Sequence, residues 1–106
     1  MNYSVIYSDE AKDDLKGFSK FQARQIRKMI DRVSQNPLPK NEGGYGNPLG
    51  NKGGLNLTGL CKITFKKLAV RVVYQLVRAD KIMQVIVIAA RADEEVYEIA
   101  AKRIKK

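Results

Sequence analysis

The sequence predicts an α+β fold: a small, mostly antiparallel sheet with an N-terminal helical hairpin and a C-terminal helix, in the order β-α-α-β-β-β-α. Three observations carry this. Residues 60–90 hold three strand-like segments joined by links too short for a crossover, so neighbours pair antiparallel. Residues 8–33 hold two amphipathic segments, each preceded by a serine where an N-cap belongs. The segment from Asp93 onward runs from acidic to basic along an apolar stripe, the polarity a helix dipole favours.

Asn2–Tyr7 alternates around Tyr3, Val5 and Tyr7 and is rich in strand formers, which predicts the first strand. Ser8 then caps a short helix with Asp9 and Glu10 in its first turn; Ala11, Leu15 and Phe18 recur at helical spacing, and Gly17 stops it near Lys16. Ser19 and Gln22 form a capping box for the second helix. Its stripe of Ala23, Ile26, Ile30 and Val33, joined by Met29, must face the sheet. Lys20, Arg24, Arg27, Lys28 and Arg32 cover the rest of it. Such a face suits phosphate contact, with Arg24 and Lys28 as candidate RNA-binding residues, and it equally suits an ordinary solvated surface.

Asn36-Pro37-Leu38-Pro39 ends that helix, because proline cannot continue it and restricts the residue before it. A connection of roughly twenty residues, rich in glycine and asparagine, then runs to about Thr58, which is long for a compact domain and so points to function or mobility. Leu49, Leu55 and Leu57 offer it anchors, while Lys40 and Lys52 can reach a phosphate backbone, making Lys52 a third candidate RNA contact. Its glycines match no Walker A loop, since no Gly-Lys-Ser/Thr follows.

In Leu60–Lys67 the period of two puts Lys62, Thr64 and Lys66 on one face and Ile63 and Phe65 on the other. In Val70–Val77, Arg71 interrupts a mostly apolar strand. Ile82–Ala90 is nearly all aliphatic and suits a central strand covered on both faces. Leu68-Ala69 and Ala79-Asp80 are the expected links. The last helix presents Val96, Ile99, Ala100 and Ile104 to the core.

Composition narrows the function. The 106 residues suffice for one domain with a single modest core. A formal charge of +9, from 20 Lys plus Arg against 11 Asp plus Glu, favours an anionic partner, nucleic acid being the commonest. The chain has no histidine, which excludes imidazole acid–base chemistry and removes zinc's usual nitrogen ligand. The lone cysteine, Cys61, can form no internal disulfide and reads as an inert strand residue in a reducing compartment. No secretory signal and no stretch of membrane-spanning length is present, so a cytoplasmic protein without a membrane partner is expected.

The cations inside the strands suggest a site. If Lys62, Lys66, Arg71 and Arg91 converge with Tyr97 on one side of the sheet, they must line an open groove, because burying each without a counter-ion costs several kcal/mol. A phosphodiester satisfies them, since arginine forks and ammonium groups stabilise charge on the non-bridging oxygens during displacement at phosphorus. Surrounding cations favour a phenolate, which makes Tyr97 a candidate base for an RNA 2′-hydroxyl. The lack of histidine and of a clustered carboxylate site argues for such a route over a two-metal nuclease. The same residues also fit a structural role, with Arg71 paired to a carboxylate, Tyr97 half-buried on its helix, and Lys62 and Lys66 blunting a strand.

The run KITFKKLAVRVVYQLV, followed by VIVIAARADEEVY and a closing AAKRI, resembles the RelE branch of the RelE/ParE toxins of bacterial toxin–antitoxin systems. The likeness is strongest over Leu60–Ile104, and its most specific part is R-V-V-Y followed by an arginine and then E-V-Y. It implies a RelE-like domain spanning residues 1–106. It further implies a ribosome-dependent mRNA endoribonuclease that cuts in the A site and inhibits translation, with no metal and no cofactor. By motif position the implied catalytic residues are Lys62, Lys66, Arg71, Arg91 and Tyr97. The family carries a second lysine two residues after the first; here that place is Thr64, a candidate RNA contact, and Lys66 matches a basic position beyond it. The implied partners are a cognate antitoxin, the ribosome and mRNA. Two alternatives stay open: a ParE-like DNA gyrase inhibitor, which lacks the ribonuclease cluster, and a catalytically impaired RNA- or ribosome-binding protein.

Overall fold

The computed structural model describes residues 2–52, 54–90 and 95–104, with Lys52 described by its backbone alone. Strand β1 (Ser4–Tyr7) leads into helices α1 (Asp9–Lys16) and α2 (Lys20–Val33); β2 (Asn47–Lys52), β3 (Leu55–Phe65), β4 (Val70–Val77) and β5 (Ile82–Ala90) follow, and α3 (Val96–Ile104) closes the order. The strands form one sheet in the order β1-β5-β4-β3-β2, with β1 parallel to β5 and every other pair antiparallel. The expected α+β architecture is therefore present, with one strand more than predicted.

Both N-caps form as the sequence indicates. Ser8 Oγ accepts from the Ala11 amide, and Ser19 with Gln22 completes a reciprocal capping box. The helical hairpin covers one face of the sheet: Leu15, Ile26 and Ile30 pack there with Ile63, Phe65, Val72 and Tyr74. On the other face α3 buries Val96, Ala100 and Ala101 against Leu57, Leu60, Val73 and Val87. The aliphatic run of β5 is explained by these two layers, since it is covered from both sides. Between Val73 and Tyr74 the β4–β5 register shifts, so that Ile86 and Val87 both join the α3-side core.

The glycine-rich connection, read from sequence as functional or mobile with leucine anchors, contains a strand among its described residues. β2 pairs along β3, and Leu49 and Leu57 are buried as the anchors that were expected. Backbone bonds Lys40 N–H to Gly46 O (2.7 Å), Gly46 N–H to Leu38 O (3.0 Å) and Tyr45 N–H to Asn36 O (3.1 Å) fix the part before β2. Tyr74 Oη donates to Pro37 O at 2.7 Å and fastens it to the sheet; burial pushes the phenol pKa up, which keeps that donor protonated.

The β3–β4 link also differs from expectation. A 3-10 turn over Lys66–Leu68 precedes Ala69, whose φ of 53° is left-handed. Lys66 thus leaves the strand face shared by Lys62 and Thr64 and stands exposed in the turn. The antiparallel return needs more chain than a two-residue link supplies here. Among the described residues no helix is long and apolar enough to cross a membrane.

Candidate active site on the α3 face of the sheet

The alternation of β3 sends Cys61, Ile63 and Phe65 into the hairpin-side core and leaves Lys62 and Thr64 on the opposite face, beside α3. On β4 the same logic puts Val72 and Tyr74 in the hairpin-side core and Arg71 on the α3 side. Thr64 pairs directly with Arg71, and Lys62 with Val73, so Lys62 and Arg71 are diagonal neighbours on one face, roughly 7–8 Å apart at this kind of register. Tyr97, in the first turn of α3, reaches over this face.

Lys62 Nζ donates to Tyr97 Oη at 3.0 Å, and the same ammonium lies 5.7 Å from the centroid of the Tyr97 ring. An ammonium at that distance offers the phenol oxygen the charge compensation it needs when it carries negative charge. Arg71 is half-buried, and among the described residues its Nε is the buried side-chain polar atom that lacks a hydrogen-bond partner. No described carboxylate pairs with it. A buried guanidinium N–H without an acceptor costs free energy.

Helix α3 is held in place by more than its apolar side. Arg103 Nη1 donates to Asp14 Oδ2 and to Ile86 O, both at 2.8 Å, while Nη2 donates to Asp14 Oδ1 at 3.2 Å. Asp14 Oδ2 also accepts from the Ile88 amide at 2.9 Å. β1 pairs with β5 only as far as Tyr7 with Val85, so beyond that point the edge of β5 is open and Asp14 of α1 occupies it. The result is a polar clamp around the sheet edge that ties α1 to the helix carrying Tyr97.

Protein-family models give no match to this sequence, and no curated protein matches it. Solved structures do. The E. coli toxin RelE, a double arginine-to-alanine mutant in the free state, aligns with a TM-score of 0.75 at 23% identity, over 98% of this chain and 99% of that one. The RelBE2 toxin–antitoxin complex of Mycobacterium tuberculosis aligns with a TM-score of 0.70 at 17% identity, over 86% and 100%. The archaeal RelE–RelB complex of Pyrococcus horikoshii OT3 gives 0.61 at 22%, over 88% and 99%. The chain has the RelE fold.

Within the RelE fold, the residues singled out by sequence separate into groups. Lys62, Thr64, Arg71 and Tyr97 share one face, and Lys62 touches Tyr97. Lys66 is adjacent in the chain but sits in the exposed turn. Arg91 lies outside the described residues, as does the Lys52 side chain. Arg24 and Lys28 are exposed on α2, on the other face of the sheet, and are not part of the cluster. There Arg24 lines a groove of about 620 Å³ between α1 and α2 with Lys12, Lys16, Lys20 and Arg27, a second cationic surface.

Cys61, next to Lys62 in sequence, points into the hairpin-side core and is 2% exposed; burial pushes its thiol pKa up, which fits the inert reading. Among the described residues no three cysteine or acidic side chains cluster as metal ligands. In the sequence Arg103 is one of several cations that suit the end of a helix dipole, and no pattern singles out Asp14. Nothing local marks a partner 89 positions away.

Proposed function

We propose that this chain is the toxin of a type II toxin–antitoxin pair, acting in the cytoplasm as a ribosome-dependent, metal-independent endoribonuclease that cuts mRNA in the A site and inhibits translation. The observation that carries the reading is the Lys62 Nζ–Tyr97 Oη contact of 3.0 Å beside Arg71, whose Nε has no hydrogen-bond partner among the described residues, on one face of a RelE fold.

These residues suit displacement at phosphorus. In the reactive form Tyr97 Oη is the phenolate, its charge compensated by Lys62, and it takes the proton of the 2′-hydroxyl to become the phenol. The 2′ oxygen forms a bond to phosphorus and the P–O5′ bond breaks, leaving a 2′,3′-cyclic phosphate and a 5′-hydroxyl end once the departing oxygen takes up a proton from water. Arg71 faces the non-bridging oxygens, where the accessible part of its guanidinium meets the charge that develops in the transition state. Lys66 and Arg91 are the further cations that the resemblance assigns to the site, and Thr64 occupies a place where RelE-type toxins carry a lysine.

A cognate antitoxin completes the reading: two of the aligned structures are complexes of RelE-type toxins with RelB-type antitoxins, and a charge of +9 suits an acidic segment. The test is growth arrest on induction, with antitoxin binding and circular dichroism measured in parallel. Tyr97→Phe and Arg71→Ala are expected to relieve arrest while keeping the fold and the antitoxin complex. Arrest unchanged in both variants would remove this site from the mechanism and direct attention to gyrase or to simple occlusion of the ribosome.

A further inference from the structure

Tyr45 stands 52% exposed in a loop that is otherwise tightly built. Its two neighbours are glycines for a packing reason: a Cβ on Gly44 would collide with the Leu38 backbone, and one on Gly46 with Tyr74 Oη. The Tyr45 amide itself donates to Asn36 O at 3.1 Å, and Asn36 Nδ2 donates to Gly43 O at 3.1 Å. A large apolar ring is therefore displayed to solvent from a backbone fixed on both sides, which neither burial nor loop flexibility explains.

The ring borders a shallow groove of about 250 Å³ whose wall is Met29 of α2 with Ile63 and Phe65 of β3. Arg32 of α2 places a cation on it, and Thr64 closes it on the side of the sheet. β2 pairs with β3 no further than Asn47 with Lys62, so among the described residues the edge of β3 at 63–65 has no strand neighbour. Thr64 is also the direct partner of Arg71. The groove lies on the hairpin side and meets, around the open edge of β3 at Thr64, the opposite face that holds Lys62, Arg71 and Tyr97.

We propose that this groove is a nucleobase subsite, in which Tyr45 stacks on a base of the single-stranded RNA flanking the cleaved phosphodiester while Arg32 meets a neighbouring phosphate. This rests on the ribonuclease reading above. A flat π-face rewards an unstacked base whatever its identity, and an aromatic held rigidly loses little freedom when the base arrives. An extended peptide on the open edge of β3 is the competing occupant. The cation beside the ring and the phosphate-seeking face that lies just around the β3 edge favour RNA over it.

The experiment compares wild type, Tyr45→Ala, Tyr45→Phe and Arg32→Ala in a translating extract programmed with a defined reporter mRNA. Cleavage is mapped by primer extension, and antitoxin affinity is measured on the same preparations. Tyr45→Ala is expected to lower cleavage by roughly 5- to 100-fold, the range base–aromatic stacking supports, with Tyr45→Phe close to wild type and Arg32→Ala intermediate. Wild-type cleavage with an unchanged Tyr45→Ala map overturns the subsite alone. Unchanged cleavage with weakened antitoxin binding reassigns the groove to a protein partner. No cleavage by wild type overturns the ribonuclease reading, and this subsite with it.

Discussion

Arg71→Met should make the protein more stable and less active. Among the described residues Arg71 Nε is buried without an acceptor, and a buried unsatisfied donor costs roughly 1–3 kcal/mol. The side chain as a whole is only half-buried, so part of the guanidinium charge stays in water and the low end of that range applies. Methionine keeps the length and apolar stem of the side chain opposite Thr64 and Ala89, so no cavity opens between β3 and β5. The expected gain is about 1 kcal/mol in urea unfolding, or a rise in Tm of about 4–8 °C. Cleavage should fall by about 10²–10³-fold, as for loss of one preorganised donor to a developing oxyanion. A rise in stability with a fall in activity is the signature of a guanidinium kept for substrate rather than for the fold. A variant that unfolds at lower urea would show that Arg71 serves the fold, and the reasoning would fail.

Other consequences concern the scaffold. Asp14→Ala removes the acceptor of the Ile88 amide and of both Arg103 Nη atoms, with side chains only 18% and 20% exposed, and should cost about 2–4 kcal/mol in chemical unfolding. Combining it with Arg103→Met should recover part of that loss, since no unpaired charge then remains. Tyr74→Phe should cost about 1–2 kcal/mol by thermal or urea unfolding, because the Pro37 carbonyl loses its donor. Arg78 makes a bidentate pair with Glu42, both contacts 2.7 Å, and holds its carboxyl pKa below the usual value of 4.5. A carboxyl pKa lowered by folding contributes stability that is present above the ordinary value and lost as pH falls through the lowered one. Thermal melts between about pH 6 and pH 3 should therefore show a weaker acid dependence in Glu42→Gln than in wild type.

Local signals carried most of the architecture. Ser8, and Ser19 with Gln22, announced both helix starts because a cap is decided within four residues. The alternation at Ile63, Thr64 and Phe65 announced which side chains share a face, because that follows from the strand period alone. β2 was hidden because Asn47–Lys52 contains proline, two asparagines and a glycine, poor strand formers held in place by pairing with β3. Lys66 was misplaced because a period of two cannot show where a strand ends, and Ala69 gives no hint of its left-handed backbone. The Asp14–Arg103 clamp and the display of Tyr45 are tertiary facts. Their partners meet only after the sheet has formed.

The most direct test of the central claim is a primer-extension map of mRNA in a translating extract, with wild type, Tyr97→Phe and EDTA-treated protein, free magnesium being restored for the ribosomes. The account predicts cuts inside translated codons, ending in 2′,3′-cyclic phosphates, that persist after chelation and vanish with Tyr97→Phe. Intact mRNA in an extract whose translation still stops would contradict it, as would cuts indifferent to the loss of the tyrosine hydroxyl.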